Sequence, residues 1–355
     1  MKNDMINEHF TAPVCVGNGL VALDVIINSQ DSNHAQFLAG GSCGNVMTIL
    51  SFLGWKSYPI ARLSNNVAGD LLYQDLLRWN VNDDLLEVSN EGSTPIIIHR
   101  ILKDKKGETK HRFEFKNPED GKYLPSYKPC LAKSVPMILE KIAKTNVFFF
   151  DRINRASIDL AKAYSAKGSI VYFEPSSIKD EKGFEASCRI ADVIKFSEDR
   201  IPDFDKLYPT AVAPLEIQTL GSTGLKYRRK GQSTWTFLKG YAIDNLIDAA
   251  GAGDWSTAGI IINLFKTPQI KISDISEESL YFAMQYGQAL SALNCTFEGA
   301  RGLMYNVNRQ ELNLMISHIV SSPKTTISSG TRVKKQARQV DFDVKISSLF
   351  AKSSR

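Results

Sequence analysis

Apolar residues fall into short runs separated by polar, glycine-containing breaks, and the period changes from run to run. Val14 to Ile27 reads as a strand, a glycine-broken turn and a second strand. After a polar stretch at 29–36 comes Ala39-Gly40-Gly41-Ser42-Cys43-Gly44-Asn45, then apolar positions at helical spacing from Val46 to Leu53 with a stop at Gly54. Paired glycines ahead of a helix start suit a backbone that must approach another group closely. Residues 57–63 predict a short strand, and 66–79 a helix with apolar positions 67, 71, 72, 76 and 77.

Residues 94–115 differ. Pro95-Ile-Ile-Ile-His-Arg-Ile-Leu102, the charged Lys103-Asp-Lys-Lys-Gly-Glu108, and Thr109-Lys-His-Arg-Phe-Glu-Phe115 predict a β-hairpin set apart as a small β appendage. Alternation resumes at Ile138. The run Val147-Phe148-Phe149-Phe150 suits a strand buried on both faces. A helix at 155–166, a strand at 169–174, a helical stretch, and strands at 192–196 and 213–220 follow. Strands alternating with helices predict an α/β fold with a mostly parallel central sheet and helices on both faces.

The 355 residues carry a formal charge of +5, part of it from Arg332, Lys334, Lys335 and Arg338 in a Ser/Thr/Lys/Arg-rich segment at 321–355. This segment reads as a basic, flexible tail whose short apolar patch docks its last turn on the body or on a partner. So mild a balance does not point to nucleic acid; an anionic small substrate accounts for it equally well. Cysteines 15, 43, 130, 188 and 295 are widely spaced, without zinc-site spacing, as for free thiols in a reducing cytosol. Neither a signal-type N-terminus nor a membrane-length apolar run is evident, so a cytoplasmic protein is expected.

The segment richest in chemistry is Asp248-Ala-Ala-Gly251-Ala252-Gly253-Asp254, followed by an apolar helix from Trp255. Helix N-termini present unpaired amides and the positive end of the dipole, and small residues let an anion approach them. A carboxylate at the same place can take a proton from an attacking hydroxyl. Taken alone, the run fits an ordinary glycine loop with Asp254 as N-cap equally well. Asp24 and Asn45 likewise read as a turn residue and a helix cap. Asp151-Arg152 and Glu174-Pro175 fall at the C-terminal ends of predicted parallel strands, where open α/β sheets bind ligands. His99, Arg100, His111 and Arg112 sit on the hairpin in a register the sequence does not fix.

In order along the chain, several motifs resemble the PfkB carbohydrate kinases of the ribokinase-like superfamily. Gly17-Asn-Gly-Leu-Val-Ala-Leu-Asp24 is similar to the opening strand with its substrate-binding Asp. Gly40-Gly41-Ser-Cys-Gly-Asn45, running on to Leu53-Gly54 and Ile60-Ala-Arg-Leu63, resembles the N-terminal signature. Thr219-Leu-Gly221-Ser-Thr-Gly224 resembles the turn beside the nucleotide, Asp248–Asp254 the C-terminal DTxGAGD-type signature, and Gly299-Ala300 the pair near the domain end. The resemblance spans about residues 13–320 and implies a kinase domain at 1–320, with a lid from about 25–38 and 94–115.

It also implies roles. Asp254 is the catalytic base; Gly251, Ala252 and Gly253 form the anion hole; Asp24, Gly40, Gly41 and Asn45 bind the acceptor; and Thr219, Gly221 and Gly224 line the nucleotide site. ATP is the co-substrate, with Mg2+ and, as a further candidate, a monovalent cation. The family's lids imply a homodimer through the lid. Two departures stand out. Ser197-Glu198-Asp199-Arg200 replaces the usual Asn-x-x-Glu, which leaves Glu198, or else Asp199, acting through water, as the metal candidate. Ala249 replaces the Thr of the DTxGAGD pattern. The expected activity is phosphorylation of a hydroxyl, such as a primary hydroxymethyl, of a sugar or sugar-like molecule. The alternatives are a nucleoside kinase, or a catalytically weak sugar- or nucleotide-binding relative acting through a partner.

Overall fold

The structure, a computed structural model, describes residues 12–28, 35–103, 109–322, 326–327 and 346–352. The charged hairpin turn and the basic run at 332–338 lie outside the described residues.

Two sheets organise the chain. The larger has nine strands in the order β13-β12-β11-β10-β9-β8-β1-β4-β5. Its members are β1 (Val14–Asn18), β4 (Lys56–Ser64), β5 (Leu86–Ser89), β8 (Val147–Phe150), β9 (Ile170–Phe173), β10 (Val193–Ser197), β11 (Leu215–Thr219), β12 (Gly224–Arg229) and β13 (Thr236–Lys239). Strands β5 to β11 in that order run parallel, and β12 and β13 close the edge antiparallel. The smaller sheet has the order β3-β2-β6-β7, built from β2 (Ala22–Asn28), β3 (Ala35–Gly40), β6 (Ile96–Lys103) and β7 (Thr109–Glu114). The α/β architecture with a separate small β sheet therefore follows the expectation, while β5, β12 and β13 are additions to it.

The helices are α1 (Ser42–Phe52), α2 (Val67–Arg78), α3 (Val135–Lys141), α4 (Arg155–Ser165), α5 (Glu181–Ile190), α6 (Phe204–Leu207), α7 (Ala252–Leu264), α8 (Glu277–Asn294), α9 (Gly302–Asn306) and α10 (Arg309–Ser321). Their starts have local causes. Asn66, Asn154 and Asp180 cap α2, α4 and α5 by accepting the amide three residues on. Asn308 and Glu311 form a reciprocal capping box on α10. Helix α7 is apolar nearly all round, as suits a helix sunk in a core, and packs on the buried side of α8.

The nine-stranded sheet has an apolar core on each face. One gathers residues such as Val147, Phe149, Tyr172 and Val193 with α1, α7 and α8; the other gathers Phe148, Phe150, Phe173 and Phe196 with α4 and α5. This division follows from the two-residue side-chain period of a strand. All five cysteines are buried and free. No described helix is long and apolar enough to cross a membrane.

The hairpin register is now defined. Ile98 pairs with Glu114, His99 with Phe113, and Arg100 with Arg112. Ile96 and Ile98 are buried in the core, whereas Phe113 is 54% exposed. Partners directly opposite share a face, so Phe113 lies with His99 on the other face of the small sheet. Phe113 therefore does not share the buried face of Ile96 and Ile98. Arg100 and Arg112 both reach Glu114 from the Ile98 side. The segment after α10 returns to the body: Ile346 and Leu349 of a short turn are buried, and the Ala351 carbonyl accepts from the Val67 amide at the start of α2.

Candidate active site

Strand β1 lies between β4 and β8, and successive connections leave it in opposite directions. Such a switch point opens a crevice at the carboxyl ends of the strands. There Asp151, just past β8, accepts the Leu20 amide at 2.9 Å and the Arg152 guanidinium at 2.9 Å. Burial raises its pKa, opposed by Arg152.

Asp24 belongs to the small sheet. Asp24 is the third residue of β2, inside the strand rather than in a turn. It pairs with Ile97 of β6, on the face shared with His99 and Phe113. Gly40 ends β3 beside it: a Cβ there would sit 2.0 Å from the Asp24 carboxylate, so only glycine fits. Gly41 follows as the residue before α1. Burial pushes the Asp24 carboxyl up to about 7, opposed by the Arg301 guanidinium.

Asn45 and Asp254 meet. Asn45 lies in the first turn of α1, and its Nδ2 donates to Asp254 Oδ2 at 2.8 Å. The helix expected from Trp255 starts three residues earlier, at Ala252, because Gly251 takes a left-handed conformation (φ 74°) and serves as its N-cap. A Cβ on Gly251 would stand 2.1 Å from the Ala300 carbonyl, so glycine is required on two counts. Asp254 therefore lies within the first turn of α7 and is not its cap. Asn45 likewise does not cap α1. Among the described residues no acceptor takes the amide protons of Gly251 or Gly253, which leaves an electropositive helix end open to an anion.

The turn is braced from below. Asp248 accepts the Ala250 amide at 2.8 Å and the Gly299 amide at 2.9 Å. Asn294 Nδ2 donates to the Ala250 and Ala300 carbonyls, and the Trp255 indole donates to Ala300. The matched Gly299-Ala300 pair is thus tied to the matched Asp248–Asp254 run.

Two buried ion pairs at the site escape a reading by motif. Lys195 in β10 and Glu174 after β9 join at 2.8 Å, with Lys195 Nζ also 3.2 Å from the Gly253 carbonyl. Arg301 pairs with Asp75 of α2, which also accepts the Ala39 amide and the Tyr305 hydroxyl. A lone lysine inside Val193-Ile-Lys-Phe196 looks like the solvent side of a strand. Its partner lies 21 residues away, just past the end of the neighbouring strand, so only the parallel pairing exposes the pair. Asp254 is pushed up to about 7 by burial and by the Glu174 charge, opposed by the Asn45 hydrogen bond, Lys195 and Arg200.

Thr219 ends β11, and Gly221 and Gly224 follow with positive φ in a tight turn where the Leu220 amide donates to the Gly224 carbonyl. The Glu198 amide donates to the Thr219 carbonyl, so Glu198 stands beside that turn with its side chain exposed. Among the described residues no cluster of three metal-ligating side chains forms.

No protein-family model matches the chain. An Arabidopsis thaliana protein named Probable fructokinase-5 is 24% identical over 321 residues, covering 81% of this chain and 93% of that one. A fructokinase double mutant from Vibrio cholerae O395, solved with fructose, ADP and potassium ion, superposes with a TM-score of 0.65 at 18% identity, covering 86% and 99% of the two chains. The Burkholderia thailandensis nucleoside kinase in complex with inosine gives a TM-score of 0.60 at 13% identity, covering 86% and 96%. The fold is that of the ribokinase-like sugar and nucleoside kinases, and the PfkB resemblance read from the motifs is borne out by this architecture and these relatives.

Proposed function

We propose that the protein transfers the γ-phosphoryl group of ATP to a hydroxyl group of a sugar or sugar-like acceptor. The observation that carries this reading is Asp254, held by Asn45 at the amino end of α7 beside the Gly251 and Gly253 amides, while the Ala252 amide makes a 3.3 Å bond to the Ala249 carbonyl. The acceptor hydroxyl loses its proton to Asp254 as its oxygen bonds to the γ-phosphorus. The bond from that phosphorus to the β,γ-bridging oxygen breaks, and ADP leaves. The amides of Gly251, Ala252 and Gly253 offset the charge on the phosphoryl oxygens. Asp24, with Gly40 and Gly41, binds acceptor hydroxyls. Thr219, Gly221 and Gly224 line the nucleotide. Exposed Glu198 would hold through water a magnesium ion accompanying ATP, which would supply positive charge against the phosphates.

The acceptor-facing side of the small sheet carries the His99–Phe113 stack, with ring centroids 4.7 Å apart and Phe113 exposed. That aromatic surface favours a second reading in which the acceptor is a nucleoside. Closed over the crevice, the sheet acts as a lid that excludes water, the competing phosphoryl acceptor, and its free edges supply a homodimer contact. A panel of sugars and nucleosides assayed for ADP formation tests the proposal. Turnover on fructose or a related sugar is expected. Turnover on inosine alone would favour the second reading, and none on any acceptor would overturn both.

A further inference from the structure

Lys195 is a buried cation that the phosphoryl-transfer steps above do not use. Its side chain is 1% exposed and that of Glu174 9%. Strand alternation sends it toward α7, on the face of Tyr172 and Val193. Its Nζ bonds Glu174 Oε1 at 2.8 Å and the Gly253 carbonyl at 3.2 Å. Glu174 is held in turn, since the Thr257 hydroxyl donates to its Oε2 at 2.6 Å from one turn further along α7. A buried ion pair is costly to desolvate and is weak evidence for a purely stabilising role. This one grips a carbonyl in the first turn of the helix that carries Asp254.

We propose that Lys195 and Glu174 are positioning residues: together they fix the Gly251–Asp254 turn and set the balance of charge at Asp254. This rests on Asp254 being the base. Pulling the Gly253 carbonyl down onto Lys195 holds that peptide against α7 and leaves the amides of the turn facing the crevice. The two charges also act on Asp254 with opposite sign. Around it stand Glu174 from β9, Lys195 and Arg200 from β10 and its following turn, and the Asn45 amide and Cys43 from α1. Glu174 favours the protonated acid; Lys195 and Arg200 favour the carboxylate.

The test is a 13C titration of the Asp254 carboxyl in the full chain without substrates, assigned with Asp254→Asn, alongside the pH profile of kcat/KM. Glu174→Gln keeps the shape and removes the anion, leaving Lys195 uncompensated. The Asp254 midpoint should fall by about one unit, a tenfold loss of proton affinity, and the acid limb of the rate profile should follow. Adding Lys195→Met should bring the midpoint back toward wild type. Lys195→Arg keeps the charge but not the compact geometry, so kcat should drop with the midpoint nearly unmoved. A midpoint in Glu174→Gln within about 0.3 unit of wild type, or lost activity with no displacement, overturns the inference. Should Glu174→Gln fail to fold, a displaced midpoint in Lys195→Arg does the same. The substrate-free titration separates the two readings: absence of turnover on every acceptor would remove the kinase proposal, while the displacements would still decide the charge pair.

Discussion

Asn45 and Asp254, separated by 209 residues, share a 2.8 Å hydrogen bond from Nδ2 to Oδ2. It joins the first turn of α1 to the first turn of α7, so the two glycine-preceded helix starts singled out in the sequence face each other across one crevice. Asn45 fixes the carboxylate by one oxygen and leaves Oδ1 without a bond among the described residues.

Replacing Asp254 by Asn should cut kcat by about 10² to 10⁴-fold, the usual scale of general-base loss, while ATP binding persists. With the wild-type carboxyl pushed up to about 7, kcat/KM should rise with pH through that value, because only the ionised form accepts the proton. Calorimetry of ATP binding and a pH-rate profile check both; a variant with wild-type kcat would remove the base assignment.

Asp24 titrates near 7 in the folded protein against about 3.9 in an unfolded chain. The folded state therefore binds the extra proton between these values, and stability falls as pH rises through that window. Asp24→Asn should raise Tm by a few degrees at pH 8, with the gain vanishing near pH 4 (roughly the unfolded value). The same substitution should raise KM for the acceptor far more than KM for ATP. Equal changes in both constants, with a pH-independent Tm shift, would mark Asp24 as structural.

Glu198→Gln should move the magnesium dependence of the rate to higher concentration without altering the fold, since its side chain is exposed at the end of β10. An unchanged titration would transfer the role to Asp199 or another carboxylate.

Truncation after Val320 reads from composition as harmless, but Ile346 and Leu349 are buried and the Ala351 carbonyl is bonded to Val67. Deleting 346–355 should lower Tm by on the order of 5 °C while kcat stays near wild type. Phe113→Ala should leave Tm unchanged and raise KM for the acceptor. Thermal melts and steady-state kinetics on the two variants decide between a stabilising segment and a dispensable one.

The motif residues that the structure brings together lie where backbone conformation is unusual. Gly40, Gly41 and Gly251 mark close approaches and a left-handed cap that no other residue type fills, and such positions leave a trace in any sequence. What stayed hidden has different physics. Lys195, Arg301 and Asp75 are charged residues whose burial depends on partners brought in by strand order and helix packing, so each alone looks solvated, and the strand-end position of Glu174 does not reveal its partner. The β12–β13 hairpin escaped for a related reason: Lys226, Arg228 and Arg229 make its strands look like surface loop, although Arg228 is buried on Glu216. In the small sheet alternation revealed the strands, but only the pairing of His99 with Phe113 revealed which residues share a face.

The strand order has a consequence for how the molecule comes into being. From β1 the large sheet grows outward, through β4 and β5 on one side and then β8 to β13 in sequence on the other. Each strand leaving the ribosome can add to an edge already present, so no gap must be held open for a later segment. The exception is the chemistry. At about 5–20 residues per second, the interval between synthesis of Asn45 and of Asp254 is on the order of 10–40 s. Throughout it Asn45 is without the carboxylate it bonds in the folded chain. The two glycine-preceded helix starts, far apart in synthesis, come together only when α7 seats against α1.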